Sequence, residues 1–342
     1  MADTFSTDTL LGVVRTVKPT SLNFWLSIAF PRVVTSTDQT INFDTVTRSR
    51  RMAAFVAPTL AGVVQTAEGF STKTFKPAYL KPKDIVDPNH LFKRMAGEAF
   101  GGTMSPDQRR AAIVADLLAT QREMIERRWE WMAAQVVLNG SVVVAGENYP
   151  SVTVDFGRAG GHTVTLGSGS RWGESGIVPL DNIETWSETV FQASGFAPTL
   201  VVMGSTAWTA FRNSTDLSAK LDIRRGTNLN INIGPGSGEA IQYRGSDGVR
   251  EYWTYNDFYE DASGTPTRMM DPRDVVLLNP AGVDGVRAFG AILDPRAGYQ
   301  ALPIYPKNWI AEDPAAEYIM SQSAPLMVPG RPDATFKARV VA

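Results

Sequence analysis

The chain has 342 residues, of which 43% are hydrophobic and 20% are charged, and its formal net charge is −2. This composition excludes a generally disordered chain, and the nearly neutral charge gives no sign of a dedicated nucleic-acid binder. Cysteine is absent, which excludes disulfides, thiolate metal ligands and a cysteine nucleophile. The sequence shows neither a secretory signal pattern nor an apolar run of about 18 residues, so we expect a protein that acts inside the cell and outside membranes.

Residues 1–45 are predicted to form an N-terminal arm. Apolar residues recur at helical spacing over residues 7–17, and Pro19 ends this pattern. A second apolar piece contains Phe24, Trp25 and Phe30. Three aromatic side chains in an arm need a surface to pack against, so their partner is either the core of the same chain or a neighbouring copy.

Residues 46–90 are predicted to form a long two-stranded loop. Runs with high strand propensity at 55–58 and 60–66 precede the turn signal Glu68-Gly69, and the sequence alternates again over 71–79. An isolated hairpin of this length is marginal in water because two strands cannot bury both of their faces. We therefore expect this extended loop to lie on another surface.

A long amphipathic helix is predicted over residues 105–138. Ser105 is a suitable N-cap, Pro106 suits the first helical position, and Gln108 completes a capping box. Apolar residues then recur with a spacing close to 3.6 until Asn139-Gly140 ends the pattern. At about 1.5 Å per residue the helix is about 50 Å long. We expect it to be a spine packed on a sheet.

The rest of the sequence predicts an α+β body and an extended C-terminal return. A hairpin is predicted over 141–155, followed by a Gly/Ser-rich loop over 157–180. Helix and strand patterns alternate from 181 to about 290, which favours a second domain. Prolines recur throughout the last 50 residues, which predicts an extended segment there.

Charge is spread unevenly along the chain. Residues 48–110 contain 11 basic and 5 acidic residues, whereas residues 145–290 contain 11 basic and 17 acidic residues. One interpretation is chance combined with solvated faces. The other is that a basic segment of one copy meets an acidic surface of another, as in repeated head-to-tail contacts.

The search for a catalytic or metal site finds no specific motif. The two histidines, His90 and His162, lie in turn-like sequences without a recognisable nucleophile beside them. A zinc site needs three or four ligands, and two histidines so far apart in sequence do not indicate one. The glycine-rich run 234–238 lacks the Gly-Lys-Ser/Thr ending of a phosphate loop. The pair Arg224-Arg225 is more typical of contacts with carboxylates than of a phosphate site. We therefore expect no catalytic activity, no cofactor and no metal.

Several motifs resemble the lambda major capsid protein E family of tailed bacteriophages. Residues 305–309 read YPKNW and residues 319–333 read IMSQSAPLMVPGRPD, which are similar to the closing segment of that family. The run LDIRRGTN at 221–228 and the run FKPAYLKPK at 75–83 also resemble family motifs. The matches lie in the family's order and extend from about residue 46 to the C-terminus.

The resemblance implies the Hong Kong 97 (tailed-phage) capsid fold, an α+β architecture with a long spine helix on a β-sheet. It divides the chain into an arm (1–45), an extended hairpin loop (46–90), a peripheral domain (91–180), an inserted axial domain (181–288) and a C-terminal return to the peripheral domain (289–342). Candidate contacts between subunits are Phe24, Trp25, Phe30, Arg48, Arg50, Arg51, Lys73, Lys76, Arg224 and Arg225.

The implied function is that of a major capsid protein, which forms hexamers and pentamers of an icosahedral shell. The implied partners are other copies, a decoration protein, a scaffold, a portal and non-specifically bound DNA, in a virion assembled in the bacterial cytoplasm. Some relatives with this fold join a lysine to an asparagine between subunits, but no motif here supports that reaction. Alternatives are an encapsulin-like nanocompartment shell, a cytosolic hydrolase and a tail-tube subunit.

Overall fold

The computed structural model describes residues 23–38, 40–46, 52–53, 55, 57–59, 61, 70–86, 104–146, 149–214, 230–231, 240–261, 263–312 and 316–342. Its helices are Phe24–Ala29 (α1, the arm helix), Pro106–Asn139 (α2, the spine helix), Pro179–Ser194 (α3), Ser205–Arg212 (α4) and Pro280–Val283 (α5), with 3₁₀ turns at Gly160–His162, Pro295–Ala297 and Pro332–Ala334. Helices and strands occur together along the chain, as predicted for an α+β protein.

The strands alternate with these helices along the whole described chain. In chain order they are Arg32–Thr35 (β1), Ile41–Val46 (β2), Phe70–Phe75 (β3), Lys83–Val86 (β4), Ser141–Gly146 (β5), Tyr149–Asp155 (β6), Thr163–Thr165 (β7), Leu200–Met203 (β8), Asn230–Ile231 (β9), Ile241–Ser246 (β10), Glu251–Tyr255 (β11), Phe258–Glu260 (β12), Pro266–Arg268 (β13), Asp274–Leu278 (β14), Val286–Phe289 (β15), Tyr305–Ala311 (β16), Ala316–Gln322 (β17), Pro325–Val328 (β18) and Thr335–Arg339 (β19).

The spine helix begins and ends as its sequence predicts. The Ser105 hydroxyl accepts the backbone N–H of Gln108 at 3.2 Å, and the Gln108 side chain accepts the backbone N–H of Ser105 at 2.9 Å. At the other end Gly140 has φ 67°, and its N–H donates to the carbonyl of Val136 at 2.8 Å. A Cβ on Gly140 would lie 2.6 Å from the Cβ of Arg158, so both conformation and space require glycine.

The spine helix packs on an antiparallel sheet with the strand order β16-β17-β4. Val114 and Leu118 of the helix form an apolar cluster with Val86 and Ile319 of the sheet. Because successive side chains of a strand point to opposite faces, one face of this sheet covers the helix and the other faces away from it. This arrangement confirms the predicted spine on a sheet.

A second, mixed sheet has the order β7-β19-β14-β8-β11-β10-β9. Its interior strand β14 is buried throughout and is antiparallel to both of its neighbours, β8 and β19. An aromatic core lies on one side, where Trp186 and Trp208 of α3 and α4 meet Tyr252 and Phe336. The C-terminal return thus supplies β16 and β17 to the sheet under the spine helix and β19 to the sheet of the predicted axial domain.

A three-stranded mixed sheet, β1-β15-β18, joins the beginning of the described chain to its end. β1 runs parallel to β15, and β15 runs antiparallel to β18. The boundary predicted between residues 288 and 289 falls inside β15, so backbone hydrogen bonds cross it. The domain division otherwise stays a prediction.

The three aromatic residues of the arm are buried in their own chain. Phe24 is 7% exposed, and Trp25 and Phe30 are 0% exposed. The Phe24 ring lies 5.7 Å from Trp253 and the Trp25 ring lies 5.3 Å from Tyr255. Folding of a single chain removes these rings from water, so no neighbour is needed to cover them. Of the two partners that the sequence left open, this burial favours the core of the same chain, and the assignment of these residues as contacts between subunits stays an untested prediction.

The base of the extended loop begins earlier than predicted. β2 pairs with β3 in antiparallel register from Ile41 opposite Phe75 to Val46 opposite Phe70. The outgoing strand therefore lies at the end of the predicted arm, where Phe43 packs its ring 5.3 Å from that of Phe156. In the predicted runs 55–58 and 60–66, residues 55, 57, 58 and 61 are outside strands, and the others lie outside the described residues.

Candidate assembly surfaces

The two predicted contact lysines differ in their surroundings. The ammonium of Lys73 in β3 donates to the backbone carbonyl of Asp155 at 2.6 Å, which ties the loop base to the β5–β6 hairpin. Lys76 is exposed and makes no ion pair with any residue that the structure describes, while its carbonyl accepts the hydroxyl of Tyr149 at 3.3 Å. Lys76 is therefore the better placed of the two for a contact with another molecule.

The five predicted contact arginines lie outside the described residues. They are Arg48, Arg50, Arg51, Arg224 and Arg225. Their contacts stay predictions.

Two apolar side chains of the extended loop are open to water. Met52 is 88% exposed and Phe55 is fully exposed in the single chain. An exposed methionine and an exposed phenylalanine so close in sequence are typical of a surface that another chain covers. The sequence interpretation treated Phe55 only as part of a strand run and missed this pair.

The spine helix shows a basic and apolar stripe on its exposed side. Met124, Arg127, Arg128 and Trp131 follow at helical spacing, and the Arg128 guanidinium lies 5.0 Å from the centre of the Trp131 ring. A cavity of about 250 Å³ between the Arg128–Trp131 end of this stripe and the β5–β6 hairpin is lined mainly by apolar side chains, including Val143. The stripe was not singled out from sequence because the apolar residues of the same helix dominate its pattern.

The outer face of the β16-β17-β4 sheet carries an aromatic pair under a lysine. The rings of Trp309 and Tyr318 stack with centres 5.4 Å apart. The ammonium of Lys83 lies 4.0 Å from the centre of Tyr318 and 5.2 Å from that of Trp309. This cation–π contact ties β4 to the two longer strands. It also gives the YPKNW motif a local structural role, since Trp309 is part of it.

An ion-pair network crosses from β14 to β19. Asp274 is almost completely buried and pairs with Lys337 at 3.0 Å and with Arg339 at 2.9 Å. Asp271 pairs with Arg273 at 2.8 Å and with Arg339 at 2.9 Å, and hydrogen bonds from Arg273 lower its pKa to about 2. The C-terminal return thus neutralises part of the acidic excess of residues 145–290 inside the chain.

The described residues bury one of the two histidines and contain no candidate metal site. His162 is buried, its Nδ1 lies 2.9 Å from the carbonyl oxygen of Thr335, and its ring contacts Phe336. Within the described ranges no group of three or more His, Cys, Asp or Glu side chains is placed to hold a metal ion. His90 lies outside those ranges.

A membrane span requires a helix that is both long and apolar. In the part of the chain that the structure describes, no helix combines sufficient length with sufficient apolar character to cross a bilayer.

Comparison with solved structures identifies the architecture. The putative capsid protein of a prophage of E. coli CFT073 superposes with a TM-score of 0.74 at 24% identity, covering 98% of this chain and 99% of that chain. A phage-related protein from Bordetella bronchiseptica RB50 superposes with a TM-score of 0.53 at 13% identity, covering 97% of this chain and 96% of that chain. The chain has the Hong Kong 97 capsid fold.

Sequence comparison extends the likeness over nearly the whole chain. The major capsid protein of Enterobacteria phage P21 is 31% identical over 338 residues, covering 96% of this chain and 97% of the relative. The major capsid protein of Escherichia phage lambda is 32% identical over 290 residues, covering 82% of this chain and 83% of the relative. The family described as phage major capsid protein E matches residues 6–340. The chain belongs to the phage major capsid protein E family, whose members are structural proteins of the phage head.

Proposed function

We propose that this chain is the major subunit of a phage head, which assembles into hexamers and pentamers of an icosahedral shell around double-stranded DNA. The family match over residues 6–340 carries the proposal, because it includes every helix and strand that the structure describes. The proposal places the protein in the virion, after assembly in the cytoplasm of the bacterial host. Its work is self-association, without catalysis or a cofactor.

The proposed contacts between subunits follow from the exposed surfaces of the single chain. The extended loop carries Met52 and Phe55, whose exposed side chains need cover that the single chain does not supply. We assign the cover to a neighbouring copy, with the arginines of residues 48–51 meeting an acidic surface of residues 145–290. Exposed Lys76 at the loop base is a further basic candidate for such a contact. The axial segment 181–288, which includes Arg224 and Arg225, would cluster around the symmetry axes of the shell.

The proposed partners beyond other copies are a decoration protein, a scaffold and a portal. Packaged DNA would contact the inner surface weakly and without sequence preference, since the chain is nearly neutral and phosphate contacts need local positive charge. No covalent cross-link between subunits is proposed. The relatives from phages P21 and lambda, both above 30% identity, are head proteins, which favours a DNA-filled head over a nanocompartment with enzyme cargo.

Electron microscopy of the overexpressed full-length chain, with sedimentation alongside, tests the proposal. We expect closed shells, tubes or rings of capsomers in negative stain, sedimenting far ahead of a 37.2 kDa monomer. The same measurement on chain co-expressed with the neighbouring head genes controls for a missing scaffold. A discrete monomer or small oligomer under both conditions would contradict the proposal and return attention to an enzyme.

A further inference from the structure

The cavity of about 250 Å³ beside the spine helix is an open, mainly apolar pocket. Its lining includes Trp131 and Met132 of the helix, Val143 of β5 and Leu80 of the chain before β4, and we call it the Trp131 pocket. Val143 is 49% exposed, so water reaches the pocket. Among the described residues, Arg128 is the one charged side chain of the lining, and its guanidinium lies over the Trp131 ring.

The size and lining of the Trp131 pocket suit a single aromatic side chain. A cavity of about 150 Å³ holds a benzene ring, whereas pockets for drug-sized ligands begin at about 300 Å³. A ring that enters the pocket leaves water for apolar surroundings and meets the indole of Trp131, both of which favour binding. The pocket therefore fits an aromatic residue of a protein better than it fits a cofactor.

Phe55 of the extended loop is an aromatic side chain without cover in the single chain, where it is fully exposed. It lies nine residues beyond Val46, the last residue of β2, so it can stand up to about 30 Å from the paired base of the loop. This reach is sufficient for contact with another copy. A projecting side chain and a pocket at separate places on one chain make a head-to-tail contact, and repetition of such a contact closes rings.

The surface next to the Trp131 pocket carries two exposed acids. A second cavity shares Arg128 and Trp131 with the pocket and is also lined by Glu260 and Asp261, at the end of β12. Neither acid makes an ion pair with a residue that the structure describes. Arg127 lines the same cavity but interacts with the aspartate that follows β11. The two acids are thus available to a basic partner.

The extended loop has the complementary charge. Its residues 47–69 include three arginines and one glutamate, and two of the arginines, Arg50 and Arg51, precede Phe55 by only five and four residues. A loop that places Phe55 in the Trp131 pocket therefore brings positive charge towards Glu260 and Asp261. Opposite charges at this distance from the apolar contact fix the register in which the loop docks.

We propose that the Trp131 pocket of one copy receives Phe55 of a second copy, with the loop arginines beside Glu260. The inference rests on the proposed function, because it names the surface of the neighbour that receives the extended loop. It gives the stripe on the spine helix and the β12–β13 hairpin one shared purpose, which is to recognise an apolar and basic segment of another subunit.

Cross-linking of assembled shells tests the pocket. The chain has no cysteine, so Ala53→Cys/Val143→Cys carries two thiols only, one near Phe55 and one in the lining of the pocket. A short bismaleimide should join these thiols between copies and give a ladder of linked subunits on denaturing gels, ending at five and six. The matched variant Ala53→Cys/Val249→Cys has its second thiol in the exposed turn between β10 and β11 and should link several-fold more slowly.

A charge exchange keeps the test decisive if the new thiols impair assembly. At low salt, where exposed charges interact most strongly, Arg50→Glu/Arg51→Glu should lower the yield of shells. Addition of Glu260→Arg to that variant should restore much of the yield, since it again places opposite charges together. Glu184→Arg, at an exposed position of α3, is the matched control and should restore nothing.

The outcomes separate the pocket from the proposed function. Shells that form without a ladder, or with only an internally linked monomer, would overturn the Trp131 pocket as the receiving site and leave the proposed function standing. Equal rescue by Glu260→Arg and Glu184→Arg would also count against the pocket, because any added positive charge would then suffice. Failure of the unmodified chain to assemble, with or without the neighbouring head genes, would contradict the proposed function and the pocket together.

Discussion

A single glycine, Gly285, allows the end of the arm helix to lie very close to the chain that follows α5. A Cβ on Gly285 would lie 2.2 Å from the carbonyl oxygen of Ala29 and 2.5 Å from a ring carbon of Phe30, which is completely buried. Gly285→Ala is expected to destabilise the chain by about 1–3 kcal/mol, because the added methyl displaces a packed backbone. Urea unfolding of the dispersed subunit measures the change. Gly160→Ala is the control, since its Cβ would meet no atom within 4 Å, and a similar loss in both variants would contradict the prediction.

Asp271 makes a contribution to stability that depends on pH. Its pKa is held at about 2 by Arg273, below the ordinary value of 3.8, so the stabilisation is present above pH 3.8 and is lost as pH falls towards 2. The side chain is one quarter exposed, so solvent screening limits the effect of Asp271→Asn at pH 7 to about 1 kcal/mol. Thermal unfolding should show a lower Tm for the variant at pH 7 and equal Tm values near pH 2. A constant difference across this range would show that the charge is not responsible.

The spine helix is joined to its sheet by one buried amide and by an ion pair between Arg110 and Glu317, as well as by apolar packing. The Gln121 amide donates to Asp84 at 2.7 Å and to the carbonyl of Ile319 at 3.1 Å, and its oxygen accepts the Ser321 hydroxyl at 2.7 Å. Gln121→Leu keeps the volume but leaves these polar groups without that partner. We expect a loss of about 2–4 kcal/mol in the free energy of unfolding, since each orphaned buried group costs about 1–3 kcal/mol.

Urea unfolding with a matched variant tests the role of Gln121. Gln192→Leu on α3 removes an amide whose hydrogen bond to Glu188 is exposed, so its effect should stay within about 0.5 kcal/mol. A change below about 0.5 kcal/mol in Gln121→Leu as well would mean that the apolar contacts and the Arg110–Glu317 ion pair hold the helix on the sheet without the amide.

Elements with local signals were predicted well from the sequence. The capping box and Gly140 located the spine helix within one residue at each end, because caps and left-handed glycines act over a single turn. The β5–β6 hairpin was also placed within about two residues, since short alternating runs bounded by turn residues leave few choices.

Elements that depend on distant partners were not predicted. Nothing near Phe24 or Trp25 in sequence shows that Glu130 and Tyr255 complete their surroundings, so the choice between their own core and a neighbour stayed open until the fold was known. The strand β2 was missed because its pairing with β3 closes a loop of more than 20 residues. The pairing of β19 with β14 is likewise long-range, and the sequence of neither strand indicates its partner.

The whole molecule separates residues that fold the subunit from residues available for assembly. The aromatic arm helix, predicted as an assembly contact, is part of the core, whereas the exposed apolar side chains of the extended loop are not. Some charges also belong to the fold: Asp271 and Asp274 are neutralised within the chain by Lys337 and Arg339 of the C-terminal return. Disruption of assembly without loss of the fold should therefore be easiest in the extended loop.

Met52→Ser/Phe55→Ser should leave the subunit intact and impair the shell. Both side chains are almost fully exposed in the single chain, so the Tm of the dispersed subunit is expected to change little. In the shell each buried apolar side chain contributes about 1.5–3 kcal/mol, a loss that recurs in every subunit. Val249→Ser, an exposed apolar position in the turn between β10 and β11, is the matched control.

Charge reversal in the same loop separates apolar from ionic contributions to assembly. Arg50→Glu/Arg51→Glu should weaken assembly less than the double serine variant, because an exposed ion pair contributes about 0–1 kcal/mol, and its effect should fade at high salt. Shell yield by sedimentation at two salt concentrations, with negative-stain images, measures both variants. Normal shells from Met52→Ser/Phe55→Ser would refute the docking of this loop on a neighbour. A larger, salt-sensitive defect in the arginine variant would instead assign the contact to charge, because apolar burial does not weaken as salt rises.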